Sequence, residues 1–190
     1  MRKTLYRAAI PLIAFSVLGL AMPGSHNALA QDSNFQDETN QSLAANPADV
    51  ASVDAIMDAV YDVISGPAGA PRDWDRFLSL FIDGARLIPR SETAPGGVSV
   101  SSPNEYVTRA SANFAENGFF ESEIHRTTEQ YGDIVHAFST YEARREENAE
   151  PFLRGINSFQ LLYHDERWWI VTIYWQAETP DNPLPEKYLP

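Results

Sequence analysis

Seven side chains in this sequence have the types and spacing to grip the polar group of a small molecule. Tyr61, Asn157, Thr172, Tyr174 and Gln176 offer hydroxyls and amides, and Arg86 and Arg126 offer positive charge. Hydroxyls and amides donate and accept hydrogen bonds without changing charge, so such a set would hold and orient a ligand. Moving a proton would take more: a carboxylate base beside the reacting carbon, and a donor for the oxygen on which charge develops. Tyr61 could be that donor, but no acidic residue falls among the positions read as inward, so no catalytic residue is assigned. His125 and His136 share a strand face with Glu129, and Glu123 and Glu142 stand close by. They lack compact metal-ligand spacing, and this mix reads as a polar outer surface. No metal site and no cofactor motif is assigned. Each candidate also has a plainer role, the tyrosines as hydrogen-bonded core residues and the arginines as partners of nearby carboxylates.

The elements that must position these residues begin with 152–178, FLRGINSFQLLYHDERWWIVTIYWQAE. Val, Ile, Thr, Tyr, Phe and Trp crowd both arms around a single strong turn signal, Asp165-Glu166, which predicts two long strands and a tight hairpin. In that register His164 faces Arg167, Tyr163 faces Trp168, Leu161 faces Ile170, Phe159 faces Thr172 and Asn157 faces Tyr174. Strict alternation then puts Trp168, Ile170, Thr172, Tyr174 and Gln176 on the inner face, with Trp169, Val171, Ile173 and Trp175 on the outer. Gly132-Asp133 is a second two-residue turn, between strands 119–131 and 134–144, with Arg126 facing Ser139 and Ile124 facing Tyr141.

Three helices precede these strands. Asn46-Pro47 opens the first, whose apolar stripe is Val50, Val53, Ile56, Met57, Val60 and Ile64. Asp73 caps a short second helix with Trp74, Phe77, Leu78 and Phe81 buried, and 85–89 reads as a short strand. Ser102 and Glu105 form a capping box for the third, which turns Tyr106, Val107, Ala110 and Phe114 inward. Residues 90–97 form a polar turn and 144–151 a charged loop. Residues 1–30 have the form of a cleaved export signal, with Arg2, Lys3 and Arg7, an apolar run and Ala28-Leu29-Ala30 before Gln31. The run contains Pro11 and is shorter than the ~20 residues that span a bilayer. The expectation is a periplasmic or secreted protein cut after Ala30, with 31–45 a disordered lead-in, 46–178 the folded domain and 179–190 an extended, proline-rich tail.

The net charge of −12 opposes binding to nucleic acid or to anionic membranes. The absence of cysteine excludes disulfides and thiol catalysis. An apolar fraction of 44% is enough for a folded core, so one domain is expected.

Residues 46–178 resemble the nuclear-transport-factor-2-like superfamily, which includes SnoaL-like and ketosteroid-isomerase-like proteins. The resemblance is carried by DWDRFLSLFIDGARLIP (73–89), GDIVHAFSTYEAR (132–144) and RGINSFQLLYHDERWWIVTIYWQAE (154–178), and is strongest to exported bacterial members of no assigned role. It implies an α+β cone, with three helices in the concavity of a strongly curved, mostly antiparallel sheet and an apolar pocket at its mouth. The superfamily spans isomerases, cyclases, dehydratases and non-catalytic dimerisation modules, so the fold alone does not choose among them. Two readings stay open. One is a binder of a small apolar molecule, with or without isomerase- or lyase-type activity. The other is a non-catalytic interaction module using the convex sheet, expected to form a homodimer through Trp169, Val171, Ile173 and Trp175.

Overall fold

The structure, a computed structural model, describes residues 43–90 and 95–190, with the side chain of Pro95 also left aside. The segment expected as an export signal, most of the expected lead-in and the centre of the polar turn lie outside the described residues. The elements run α1 (Pro47–Val50), α2 (Val53–Ile64), α3 (Trp74–Ser79), β1 (Phe81–Arg90), α4 (Pro103–Glu116), β2 (Phe120–Tyr131), β3 (Ile134–Arg144), β4 (Leu153–His164) and β5 (Arg167–Ala177). The five strands form one sheet in the order β1-β5-β4-β3-β2, with β1 parallel to β5 and every other pair antiparallel. This is the α+β class expected, with helices on one side of an open, mostly antiparallel sheet.

Local chemistry explains most boundaries. Asn46 Oδ1 accepts from the Ala48 N–H, and Pro47 has no N–H to leave orphaned at the helix start. The expected first helix is two helices, because Ser52 takes an extended backbone and caps a new one by accepting from the Ala55 N–H. Ser102 and Glu105 make the capping box in full. At the β4–β5 turn both Asp165 (φ 50°) and Glu166 (φ 60°) are left-handed, the geometry that lets two twisted strands join through two residues. The segment expected as a short strand at 85–89 is the second half of the longer β1, which runs through Gly84 at φ 79° with an irregular register against β5.

The core lies between the helices and the concave face of the sheet. Ile56, Met57, Phe77, Leu80, Phe159, Leu161 and Ile170 are its most completely enclosed large side chains. Phe77 packs against Phe81 and Tyr106 at ring centroid distances of 4.8 and 5.3 Å, tying α3 to β1 and α4. Arg72 fixes the loop after α2 by donating to the carbonyls of Ile64, Gly66, Pro67 and Ala70 at 2.6–3.3 Å.

Two β-bulges overturn the strict alternation expected of the strands. In β5, Gln160 pairs with Thr172 but Leu161 pairs with Ile170, so Val171 is an extra residue. Side chains alternate with a period of two, so one extra residue moves every later side chain to the opposite face. Phe159 therefore faces Ile173, not Thr172, and Asn157 faces Trp175, not Tyr174. Ile173 joins the concave core at 6% exposure, while Tyr174 is turned out at 45%. In β2, Glu123 pairs with Tyr141 and His125 with Thr140, which makes Ile124 the extra residue. That bulge puts Glu121 and Glu123 on the concave side.

The tail from Thr179 is folded, not merely extended. It turns at 179–182, makes a 3₁₀ turn at Glu186–Tyr188 and lies on the convex face. Thr140 Oγ1 donates to the Tyr188 carbonyl at 2.7 Å, and the Phe138 and Tyr188 rings meet edge to face at 5.0 Å. Arg154 grips Glu178 at 2.8 Å, and Glu178 accepts from the Leu184 N–H.

Candidate functional site

The helices do not fill the cone. A cavity of about 300 Å³ remains between α2, α4 and the concave sheet, walled by Val60, Ile64, Phe77, Phe114, Phe119, Leu153, Phe159, Ile173 and Trp175. This is the small end of the range for sites that take organic ligands. Its polar groups are few: Tyr61, Tyr106, Arg109, Asn113, Glu121, Tyr141 and Asn157. Helical spacing accounts for α4, since Tyr106, Arg109, Ala110, Asn113 and Phe114 fall on one stripe. The β2 bulge accounts for Glu121.

Glu121 is the central chemical group. Its carboxylate accepts one hydrogen bond, from Asn157 Nδ2 at 2.9 Å, and no arginine, lysine or histidine pairs with it among the described residues. Burial in the apolar wall penalises the charged form more than the Asn157 bond favours it, so the pKa is pushed up to about 7. The residue keeps some accessible surface, which is the surface of the cavity itself.

Behind Glu121 runs a chain of hydrogen bonds whose direction follows from its ends. Asn157 Nδ2 also donates to the Tyr61 hydroxyl at 3.0 Å, which lies 2.7 Å from Ser139 Oγ, and Ser139 donates to Glu123. With the serine proton given to Glu123, the Tyr61 proton goes to Ser139. Tyr61 is thus present in the cavity wall, as expected, but its donor is spent on the protein. Burial and the nearby Glu121 raise its pKa, which keeps it neutral.

Two other tyrosines have free hydroxyls. Neither Tyr106 nor Tyr141 hydrogen-bonds to the protein among the described residues, and both line the cavity. Burial, then the Glu121 charge, raises both pKa values, so both remain proton donors at neutral pH. Tyr141 needs Gly155 opposite it, because a Cβ there would lie 2.7 Å from the Tyr141 hydroxyl and 2.4 Å from the Gln176 carbonyl.

The remaining expected site residues lie elsewhere. Thr172, Tyr174 and Gln176 follow the β5 bulge and face the convex side, where Tyr174 and Gln176 border a second space beneath the tail. Arg86 donates to the Gly84 and Ala85 carbonyls on β1 and does not reach the cavity. Arg126 is paired with Asp54 at 2.5 Å and Glu123 at 3.2 Å, outside the cavity lining, with its second terminal nitrogen buried and unpaired. The residues expected to meet a second copy are divided too. Ile173 and Trp175 face the cone, and Trp169 is covered by the Arg167 guanidinium at 3.6 Å from its ring centre. They do not form one convex stripe. His136 is bonded to Ser158 at 3.0 Å, and no group of three or more metal-ligating side chains occurs among the described residues.

Sequence reasoning missed Glu121, Tyr106 as a polar lining residue, Tyr141, Arg109 and Asn113. The α4 residues were findable, because they share the helical stripe already read from Ala110 and Phe114. Glu121 was not, because Phe120, Ser122 and Ile124 take the inner face in any unbulged register.

No protein-family model matches the sequence, and no curated protein matches it either. Solved structures do match in fold. A cystatin-like-fold protein of unknown function from Nostoc punctiforme has a TM-score of 0.53 at 11% identity, over 70% of this chain and 92% of that one. A nuclear-transport-factor-2-like protein of unknown function from Pseudomonas putida has a TM-score of 0.53 at 9% identity, over 73% and 94%. A variant of a protein of unknown function from Mycobacterium tuberculosis gives 0.53 at 14%, over 69% and 73%. With the five-stranded sheet and its helix-lined concavity, these likenesses show that the chain has the nuclear-transport-factor-2-like, cystatin-like fold.

Proposed function

We propose that the cone binds a small, largely apolar molecule carrying one carbonyl or hydroxyl group, and that Glu121 exchanges a proton with it. The observation that carries this reading is Glu121 itself, a carboxyl at about pKa 7 in an apolar cavity, with one hydrogen bond and no counter-charge among the described residues. A structural carboxylate would be expected to sit against a cation or several N–H groups. A pKa near the working pH suits a group that both takes and returns a proton. Tyr106 and Tyr141 supply donors for a ligand oxygen, and the aromatic wall supplies the apolar contact. The reaction class this supports is proton transfer at a carbon next to a carbonyl, as in an isomerase or lyase.

The test is calorimetric titration with 1-tetralone, together with exchange of its α-hydrogens into deuterated water. Binding and catalysed exchange are expected. Glu121→Gln should keep binding, since an amide can still donate, and should slow exchange by about 10²- to 10⁴-fold. Absence of binding would overturn the reading, and exchange unaffected by the substitution would leave a binder without Glu121 chemistry.

The N-terminal pattern supports the further proposal that the protein is exported. No described helix is long and apolar enough to cross a membrane. Finding Met1 retained on sequencing the protein from the cell exterior would refute cleavage after Ala30.

A further inference from the structure

The lip of the cone carries a second recognition element that the proton-transfer reading does not use. Arg109 and Asn113 lie one turn apart on α4, both exposed and both bordering the cavity. Arg109 donates to Ser99 Oγ at 3.2 Å and to Ser101 Oγ at 2.9 Å, two neutral acceptors. A guanidinium has five N–H donors, so about three remain unused. No carboxylate lies within ion-pair distance of Arg109 among the described residues. The nearby Glu105 instead spends its carboxylate on the Ser102 N–H and hydroxyl. The Asn113 side chain is also without a protein partner among the described residues.

Acidic residues outnumber basic ones by 26 to 14 in this chain. Among the described residues, four arginines pair with carboxylates, and others, such as Arg72 and Arg86, bond only to backbone carbonyls; Arg109 differs from them in lining the cavity. A guanidinium tethered by two serines, with no carboxylate in ion-pair distance among the described residues and beside a free amide at a cavity mouth, is arranged to meet an anion from solution. The seryl contacts hold it in place without neutralising it.

We infer that the ligand of the cone is an amphipathic anion: a compact ring or short apolar body seated toward Glu121, with a carboxylate at the lip paired to Arg109 and assisted by Asn113. This rests on the cavity-binding reading and narrows its ligand class. The body is limited by the cavity, which is about the size of ten water molecules at ~30 Å³ each. The repulsion of the acidic surface is screened beyond about 8–10 Å at physiological salt, so the local pairing decides.

Titration calorimetry with 2-naphthoate and with its neutral isostere 2-naphthamide tests this. The carboxylate is expected to bind at least about tenfold tighter than the amide, an advantage that falls with added salt. Arg109→Gln should abolish that advantage, lowering carboxylate affinity far more than amide affinity, while Arg86→Gln, away from the cavity, should change neither. Equal binding of both compounds to the wild type, or an advantage that survives Arg109→Gln, would overturn the anion inference and leave the cavity reading standing. Failure of both compounds to bind would overturn the inference, and with 1-tetralone also unbound would take the cavity reading with it.

Discussion

On the concave side of the sheet, Glu121 and Tyr141 face helices that leave about 300 Å³ open. On the convex side, the strands face the C-terminal tail, and the space beneath it is larger, about 630 Å³. The two spaces differ in what their polar groups are doing. Under the tail, Thr140 donates to Tyr188, Ser158 bonds with His136, and Glu178 holds Arg154 and the Leu184 N–H, while the exposed Tyr174 hydroxyl and Gln176 amide have no protein partner among the described residues. In the cone, the hydroxyls of Tyr106 and Tyr141 and the amide of Asn113 have no protein partner among the described residues, and Glu121 has one. Buried polar groups are normally satisfied, so the difference that matters is Glu121, a carboxyl in an apolar wall with a single hydrogen bond. Volume alone would select the other side of the sheet.

The comparison can be tested by energy as well as by ligand. The largest effect is expected on the concave side, where Phe77 is enclosed by Phe81, Tyr106 and Trp74. Phe77→Ala should cost ~3–5 kcal/mol in denaturant unfolding. A loss below about 1 kcal/mol would show α3 to be peripheral to the core.

Next in size is the pH dependence set by Glu121. A carboxyl whose pKa rises on folding binds an extra proton in the folded state between the two values. Stability should therefore fall as pH rises from 4.5 to about 7. The total attributable to this group is at most about 3 kcal/mol. Glu121→Gln should flatten that slope, and a slope that persists unchanged would place its origin elsewhere. Burial also raises the Glu123 pKa, so a smaller residual slope of the same sign is expected in the variant.

The smallest effect belongs to the convex side. Ending the chain after Glu178 removes the Tyr188 contacts and uncovers Phe138, for an expected loss of ~1–2 kcal/mol. Binding in the cone should not change. If the truncated chain lost tetralone binding, the two faces would be coupled, contrary to their separate hydrogen-bond networks. Light scattering of the same variant checks whether uncovering this face brings two copies together.

Much of this molecule was legible in the residues. The caps at Asn46, Asp73 and Ser102 mark helix starts because a side-chain oxygen must satisfy an N–H that the helix cannot. The turns at Gly132 and at Asp165-Glu166 were equally plain, and they set the pairs nearest each turn, such as Tyr163 with Trp168 and Arg126 with Ser139. Tyr61 and Asn157 were correctly read as inward. What only the tertiary structure decided was the face presented beyond each bulge. Val171 and Ile124 are ordinary strand residues, and nothing in their own chemistry requires a bulge. Each becomes the extra residue when the long strands of the cone bend over the helices, because the register can slip there while Ile173 and Trp175 gain the concavity. That slip turned Thr172, Tyr174 and Gln176 outward and brought Glu121 in, so the side chain on which the proposed chemistry depends was placed by curvature of the sheet.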